Sequence, residues 1–117
     1  MSSDLALLRD IRDITGKMEA NRICLVSKTY RDSFSIRRAE DEYRNWNIQL
    51  EKTIVKIQDL KIKNLAIEYL DKKFSIINLK TESTGQSPSI QKEYKQLFKP
   101  LEKDSEQLMA EAEKIAQ

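Results

Sequence analysis

Residues 35–60 read SIRRAEDEYRNWNIQLEKTIVKIQDL, and this stretch decides the fold. Its apolar and small side chains recur at alternating steps of three and four residues, which is the spacing of one face of a helix that packs along another helix. The members of this stripe are Ile36, Ala39, Tyr43, Trp46, Leu50, Thr53, Ile57 and Leu60. The pattern predicts an amphipathic α-helix with coiled-coil character.

The stripe continues past residue 60, although its register changes. Ile67, Leu70, Phe74 and Ile77 again follow steps of three and four, but the apolar face is rotated relative to the first part of the stripe. A rotation of this kind is typical of a bundle helix or of an interrupted coiled coil. The sequence therefore predicts one long central helix over residues 35–80.

Apolar side chains in the first part of the chain occupy two faces of a predicted helix near residues 4–31, which Ser3 or Asp4 would cap. One face carries Leu7, Ile11, Ile14, Met18 and Leu25, and the other carries Ile23, Val26, Tyr30 and Phe34. Two apolar faces indicate a helix that is covered on more than one side. Gly16 lies inside this helix at a cost of about 1 kcal/mol relative to alanine. It marks a tolerated kink, a close helix crossing or a break.

The polar residues 31–35 leave two possibilities open. A turn here, with Ser35 as the next N-cap, gives three helices in the chain. Without a turn, the first two segments join into one helix of about 75 residues, roughly 110 Å long. We favour the turn, because a lone helix of that length would need a partner along its whole length.

A small, polar segment over residues 81–87 is predicted to be a loop. Gly85 suits a left-handed turn position, and Ser87 followed by Pro88 suits an N-cap with proline at the first helical position. A further helix is predicted over residues 88–116, with a kink or break at Pro100. The predicted fold class is all-α. A single domain over residues 1–117 forms an elongated antiparallel helical bundle or a helical hairpin.

The composition agrees with long helices. The 117 residues include only two glycines and two prolines, whereas average usage would supply about eight and about six. Charged side chains make up 34% of the chain and apolar side chains 39%. This balance suits helices with narrow apolar stripes, and the scarcity of turn residues argues against a sheet protein.

The residue types argue against catalysis. The chain has no histidine, the commonest general base and zinc ligand, and its single cysteine, Cys24, lies in an apolar run and is interpreted as a packing residue. Paired carboxylates, such as Glu40 with Glu42 or Glu111 with Glu113, follow exposed-face patterns without an apolar pocket. We therefore expect no enzyme activity, no metal and no cofactor. A composite site shared with a partner is the remaining enzymatic possibility.

The charges are mixed along the chain. The 21 basic and 19 acidic residues give a net charge of +2, and opposite signs lie next to each other. A site for nucleic acid or for a membrane surface would separate the signs into a stripe. With no signal peptide, no N-glycosylation sequon and no apolar run of about 18 residues, we expect an intracellular protein of the cytoplasm or nucleus.

These observations favour a non-catalytic helical subunit or adaptor that binds another protein chain, with a hetero-oligomer favoured over a homodimer and no small-molecule substrate. A helical module that binds nucleic acid or a membrane surface is the alternative. The candidate partner-binding residues are Leu7, Ile11, Ile14, Met18, Leu25, Tyr43, Trp46 and Leu50. Trp46 suits either a bundle core or a partner-facing anchor, since tryptophan is common in interface hot spots.

Ser87 is a candidate phosphorylation site, because it precedes Pro88 in the predicted loop. A phosphate there would add roughly two negative charges at a helix N-terminus, where they are favourable. A purely structural role as the N-cap explains the same two residues.

Overall fold

The computed structural model describes residues 3–27 and 32–117, and this part of the chain is all-helical. Its four helices are α1 (Ser3–Val26), α2 (Ser33–Lys56), α3 (Leu60–Ser83) and α4 (Pro88–Ala116). No strand occurs in these residues. The predicted all-α helical bundle is confirmed, with four helices in place of the three that the sequence indicated.

The structure divides the predicted central helix over residues 35–80 into α2 and α3. The break lies at residues 57–59, which we call the corner. Ile57 has an extended backbone (φ −67°, ψ 122°). Asp59 caps α3, and its carboxylate accepts a hydrogen bond from the backbone N–H of Ile62 at 3.0 Å.

A contact with α1 stabilises the corner. The carboxylate of Asp4 accepts hydrogen bonds from the backbone N–H groups of Gln58, at 3.2 Å, and Asp59, at 3.3 Å. Neither N–H bonds to a helix carbonyl at the break, so the buried Asp4 supplies the acceptor that they need. Ile57 is buried in the core, which holds the corner against α1.

The chain reverses between α1 and α2, but the cap is not the one predicted. The side-chain amide of Asn21 donates to the carbonyl oxygen of Ala39 at 3.0 Å, so the two helices lie side by side. Asp32, not Ser35, is the N-cap of α2. Its carboxylate accepts hydrogen bonds from the backbone N–H and the hydroxyl of Ser35, and these lower the pKa of Asp32. Residues 28–31, the end of the predicted first helix, lie outside the described residues.

The loop before α4 is shorter than the predicted segment 81–87, because α3 continues through Ser83. Gly85 has a φ of 84°, the left-handed conformation expected of it. Ser87 is the N-cap of α4, and its hydroxyl accepts a hydrogen bond from the backbone N–H of Ile90 at 3.5 Å. The predicted cap is confirmed.

Helix α4 has 29 residues and continues through Pro100, so the predicted break is absent. It pairs with α3 in a hairpin that forms the most extensive helix contact of the fold. Contacts with α3 lie on both sides of the proline, at Glu82 with Tyr94 and at Lys80 with Glu102. Tertiary packing therefore offsets the cost of the proline.

Helices α1 and α3 each pack against the other three helices, whereas the described residues of α2 and α4 make no contact with each other. Helix α2 packs mainly on α1 and only slightly on α3. The molecule measures 44 × 34 × 17 Å and has a radius of gyration of 15.6 Å, above the roughly 13 Å of a compact globule of this length. The bundle is therefore flat, and α2 is less covered than the others. The largest fully buried side chains include Leu8, Ile11, Met18, Leu50, Ile57, Tyr69, Ile76, Ile77 and Met109.

Gly16 lies within the continuous helix α1, and a Cβ atom placed there would have no heavy atom within 4 Å. The glycine therefore marks neither a break nor a close crossing by another described helix. We expect Gly16→Ala to raise the free energy of unfolding by about 0.5–1 kcal/mol, because alanine loses less backbone entropy in a helix. Urea denaturation followed by circular dichroism measures this difference.

Gly85→Ala is the matched control for that substitution. Its φ of 84° is unfavourable for a residue with a Cβ atom, so the free energy of unfolding should fall by about 1 kcal/mol. A loss of stability in Gly16→Ala would contradict the expectation and show that the site is covered when the protein is folded.

Candidate functional site

Four of the candidate partner-binding residues lie in the core of the bundle. Ile11, Ile14, Met18 and Leu50 are buried, and they pack in one cluster with apolar residues of α3 and α4. These side chains hold the chain's own helices together. A partner could reach them only if the helices separated.

The other four candidates are half-buried. Leu7, Tyr43 and Trp46 pack against the same core cluster, and Leu25 lies near the end of α1. The guanidinium of Arg22 covers the ring of Tyr43 at 3.8 Å from its centroid. Both interpretations of Trp46 stay open, since it contacts the core and is still partly exposed. A partner-binding role for these four residues stays a prediction.

A groove lies between α2 and α3, since both helices pack on α1 but pack only slightly on each other. Its open cavity has a volume of about 480 Å³. We call it the α2–α3 groove, and its lining residues are Asn47, Leu50, Glu51, Ile54, Val55, Leu70 and Phe74. Five of these seven are apolar, so the groove suits an apolar surface.

Large apolar side chains are exposed on the two helices that form the groove. They are Ile48 and Val55 on α2, exposed by 49% and 75%, and Leu60 and Ile67 on α3, exposed by 70% and 42%. We call these four residues the exposed ridge. On each helix the two members are seven residues apart and therefore share a face. Isolated exposed apolar residues are common, but several beside an apolar groove indicate an interaction site.

The groove offers little for chemistry. Glu51 is its single ionisable lining residue, and no nucleophilic side chain lines it. Within residues 3–27 and 32–117, no group of three or more histidine, cysteine, aspartate or glutamate side chains could hold a metal ion. The lining is suited to contact rather than to proton or group transfer.

Two clusters of charged side chains join α1 to the α3–α4 hairpin. In the first, Lys80 lies between Glu19 at 3.1 Å and Glu102 at 3.0 Å. Burial lowers the pKa of Lys80, but the hydrogen bonds and charges of these two carboxylates outweigh it, and the net pKa is raised. Lys80 therefore stays protonated and is unsuited to act as a base or nucleophile.

In the second cluster, Arg12 of α1 bridges Glu106 at 2.8 Å and Glu113 at 2.6 Å in α4. Burial opposes the charge of Arg12, but the two carboxylates raise its pKa above the ordinary value. Every charged member of both clusters is paired, so each cluster fastens helices together. Neither resembles a binding site with a free charge.

Ser87 is exposed at the start of α4, and its hydroxyl lies 3.3 Å from that of Ser89. Its role as N-cap explains its position. Phosphorylation of Ser87 stays a prediction.

The exposed ridge was missed from the sequence. Val55 lies off the stripe of residues 35–60, and Leu60 was interpreted only as a member of that stripe. The signal was a second spacing of seven, from Ile48 to Val55 and from Leu60 to Ile67. It is weak, because each spacing has only two members.

None of the described helices is long and apolar enough to cross a membrane. Comparisons with protein-family models, with curated proteins and with solved structures find no match for this chain. The described part of the chain forms four helices with an open apolar groove between α2 and α3.

Proposed function

We propose that this chain is a non-catalytic helical subunit or adaptor that binds another protein chain within a larger assembly. The α2–α3 groove and the exposed ridge beside it are the binding surface. The exposure of Val55 and Leu60, 75% and 70%, carries the proposal. The proposed function involves no cofactor and no small-molecule substrate. We place the protein inside the cell, in the cytoplasm or nucleus.

Covering this surface would stabilise a complex. Burying the exposed parts of Val55 and Leu60 would contribute roughly 2–4 kcal/mol together, at the usual gain for branched aliphatic side chains. A partner in the groove would also bury the exposed parts of Ile54 and Phe74, which the chain's own helices cover only partly.

One feature favours a second candidate function, the binding of nucleic acid or an anionic membrane surface. Helix α4 carries four exposed lysines on one face, with spacings of three, four and four residues, at Lys92, Lys95, Lys99 and Lys103. Within the described part of the chain, none of them forms an ion pair. The test is binding of duplex DNA or of anionic vesicles to the chain. This candidate is favoured if the binding falls steeply with salt and if Lys→Gln changes at these four positions abolish it.

The proposed function is tested in the native cells by two measurements. The first is the size of the chain in a gentle extract, where we expect it to migrate well above its own 13.7 kDa. The second is photo-crosslinking from a benzoylphenylalanine placed at Val55, with a second version at Gln107, which is exposed on α4, as the control.

We expect one discrete protein adduct from position 55 and none from position 107. A chain that migrates as a 13.7 kDa monomer and gives no adduct from position 55 would contradict the proposal.

A further inference from the structure

We infer that the α2–α3 groove takes an amphipathic helix of the partner chain, and that lysine or arginine residues flank the apolar face of this helix and pair with Glu51 and Asp71. This inference rests on the proposed function and adds the shape and charge of the partner.

The shape follows from the walls of the groove. Both walls are helices whose backbone groups are already hydrogen-bonded within the helix, so no strand edge is available for a partner to extend. Contact must come from side chains alone. The side-chain ridge of a third helix fills the space between two diverging helices, and anchors at steps of three and four would meet Ile54, Leu70 and Phe74.

The charge follows first from Glu51, the single ionisable lining residue. Its helical neighbours three and four residues away are Asn47, Ile48, Ile54 and Val55, and none of them is basic. Glu51 forms no ion pair with any described residue. Its carboxylate is therefore left without a counter-ion among the described residues.

Asp71 is the acid next to the lining on the other wall, although it is not itself a lining residue. It follows Leu70 of the lining and is exposed, and it lies within one turn of Ile67 and Phe74. Its neighbours at three and four residues include no basic side chain, and it too forms no ion pair with a described residue.

Some exposed acids on other helix faces are paired along their helices. Lys17 bonds to Asp13 at 3.2 Å and Arg38 to Glu42 at 3.4 Å, both at a spacing of four residues. Such pairs stabilise a helix by a few tenths of a kilocalorie per mole. Glu51 and Asp71 lack this arrangement, and they are the acids that border the apolar groove.

The nearby lysines form no ion pair with these two carboxylates, and this includes Lys72 and Lys73, which directly follow Asp71. Lys52 and Lys56 line a different cavity, on the side of α2 that faces Asp10 and Asp13 of α1. Lys63 precedes Asp71 by eight residues, about 12 Å along the helix axis. That separation exceeds the screening length of roughly 8 Å at physiological salt.

The test uses the full chain with the photo-crosslinker at position 55. One variant carries Glu51→Lys and Asp71→Lys. The matched control carries Glu93→Lys and Asp104→Lys, which change the net charge by the same amount at exposed positions of α4. Circular dichroism checks that both variants keep the helix content of the parent chain.

We expect the Glu51→Lys, Asp71→Lys variant to lower the adduct yield about tenfold, because like charges would then face each other across the interface. The control should stay within about twofold of the parent, since its charges lie far from the groove. Mass spectrometry of the adduct should identify a segment with apolar residues at steps of three and four and with basic residues beside them.

An unchanged or higher yield in the groove variant would overturn the inference, as would an adduct on an acidic segment or on a second copy of this chain. In those cases the chain still binds a protein at position 55, so the proposed function survives. A parent chain that gives no adduct at all would overturn the proposed function and this inference with it.

Discussion

Leu50→Ala is expected to lower the free energy of unfolding by about 2–5 kcal/mol, the usual cost of removing a buried leucine side chain. Leu50 is 2% exposed and belongs to the core cluster, although it also reaches the floor of the α2–α3 groove. The substitution leaves a cavity between α2 and its neighbours. Urea denaturation followed by circular dichroism gives the difference in unfolding free energy.

Val55→Ala is the matched control, five residues later on the same helix. Val55 is exposed, so the free energy of unfolding should change by no more than about 0.5 kcal/mol. The same substitution should lower partner binding, because it trims the exposed ridge. If Val55→Ala destabilised the purified chain as much as Leu50→Ala, then Val55 would be covered in solution, and the chain would be self-associated through this surface.

Asp4→Ala is expected to lower the free energy of unfolding by about 2–3 kcal/mol, because a buried carboxylate that accepts hydrogen bonds contributes more than a neutral acceptor. Its removal leaves the backbone N–H groups of Gln58 and Asp59 without the acceptor that they have at the corner. The corner sets the directions of α2 and α3, so the groove should be disturbed as well. Hydrogen exchange at residues 57–59 should become faster.

Asp4→Asn is the control for charge and shape. Its amide keeps one oxygen acceptor, so the loss in unfolding free energy should be smaller than for alanine. Ordinary surface substitutions change the free energy of unfolding by no more than about 0.5 kcal/mol. If Asp4→Ala lowered the free energy of unfolding by less than this, Asp4 would not stabilise the corner.

Helix formation could be predicted from the sequence because it depends on local patterns. The stripe from Ile36 to Leu50 and the stripe from Ile67 to Ile77 both fall within helices. The cap at Ser87 and the left-handed turn at Gly85 were likewise local, since each depends on a residue's own conformational preference. These elements formed where the pattern indicated.

The corner could not be predicted, because its cause lies elsewhere in the chain. The apolar stripe runs through Ile57 and Leu60 without interruption, and neither glycine nor proline marks a break. The acceptor that makes the break possible is Asp4, more than fifty residues earlier. Ile57 would be a buried member of the stripe in an unbroken helix, and it is also buried at the corner. The apolar pattern therefore could not distinguish a continuous helix from a broken one.

The sequence by itself determined that the chain is helical and where most of the helices lie. Only the tertiary structure decided which apolar faces are used within the chain. Ile11, Met18 and Leu50 are buried where α1 packs with its neighbours, whereas Val55 and Leu60 stay exposed on α2 and α3, which pack only slightly on each other. Periodicity shows that a face is apolar, but the direction of the next helix determines whether the chain itself covers that face.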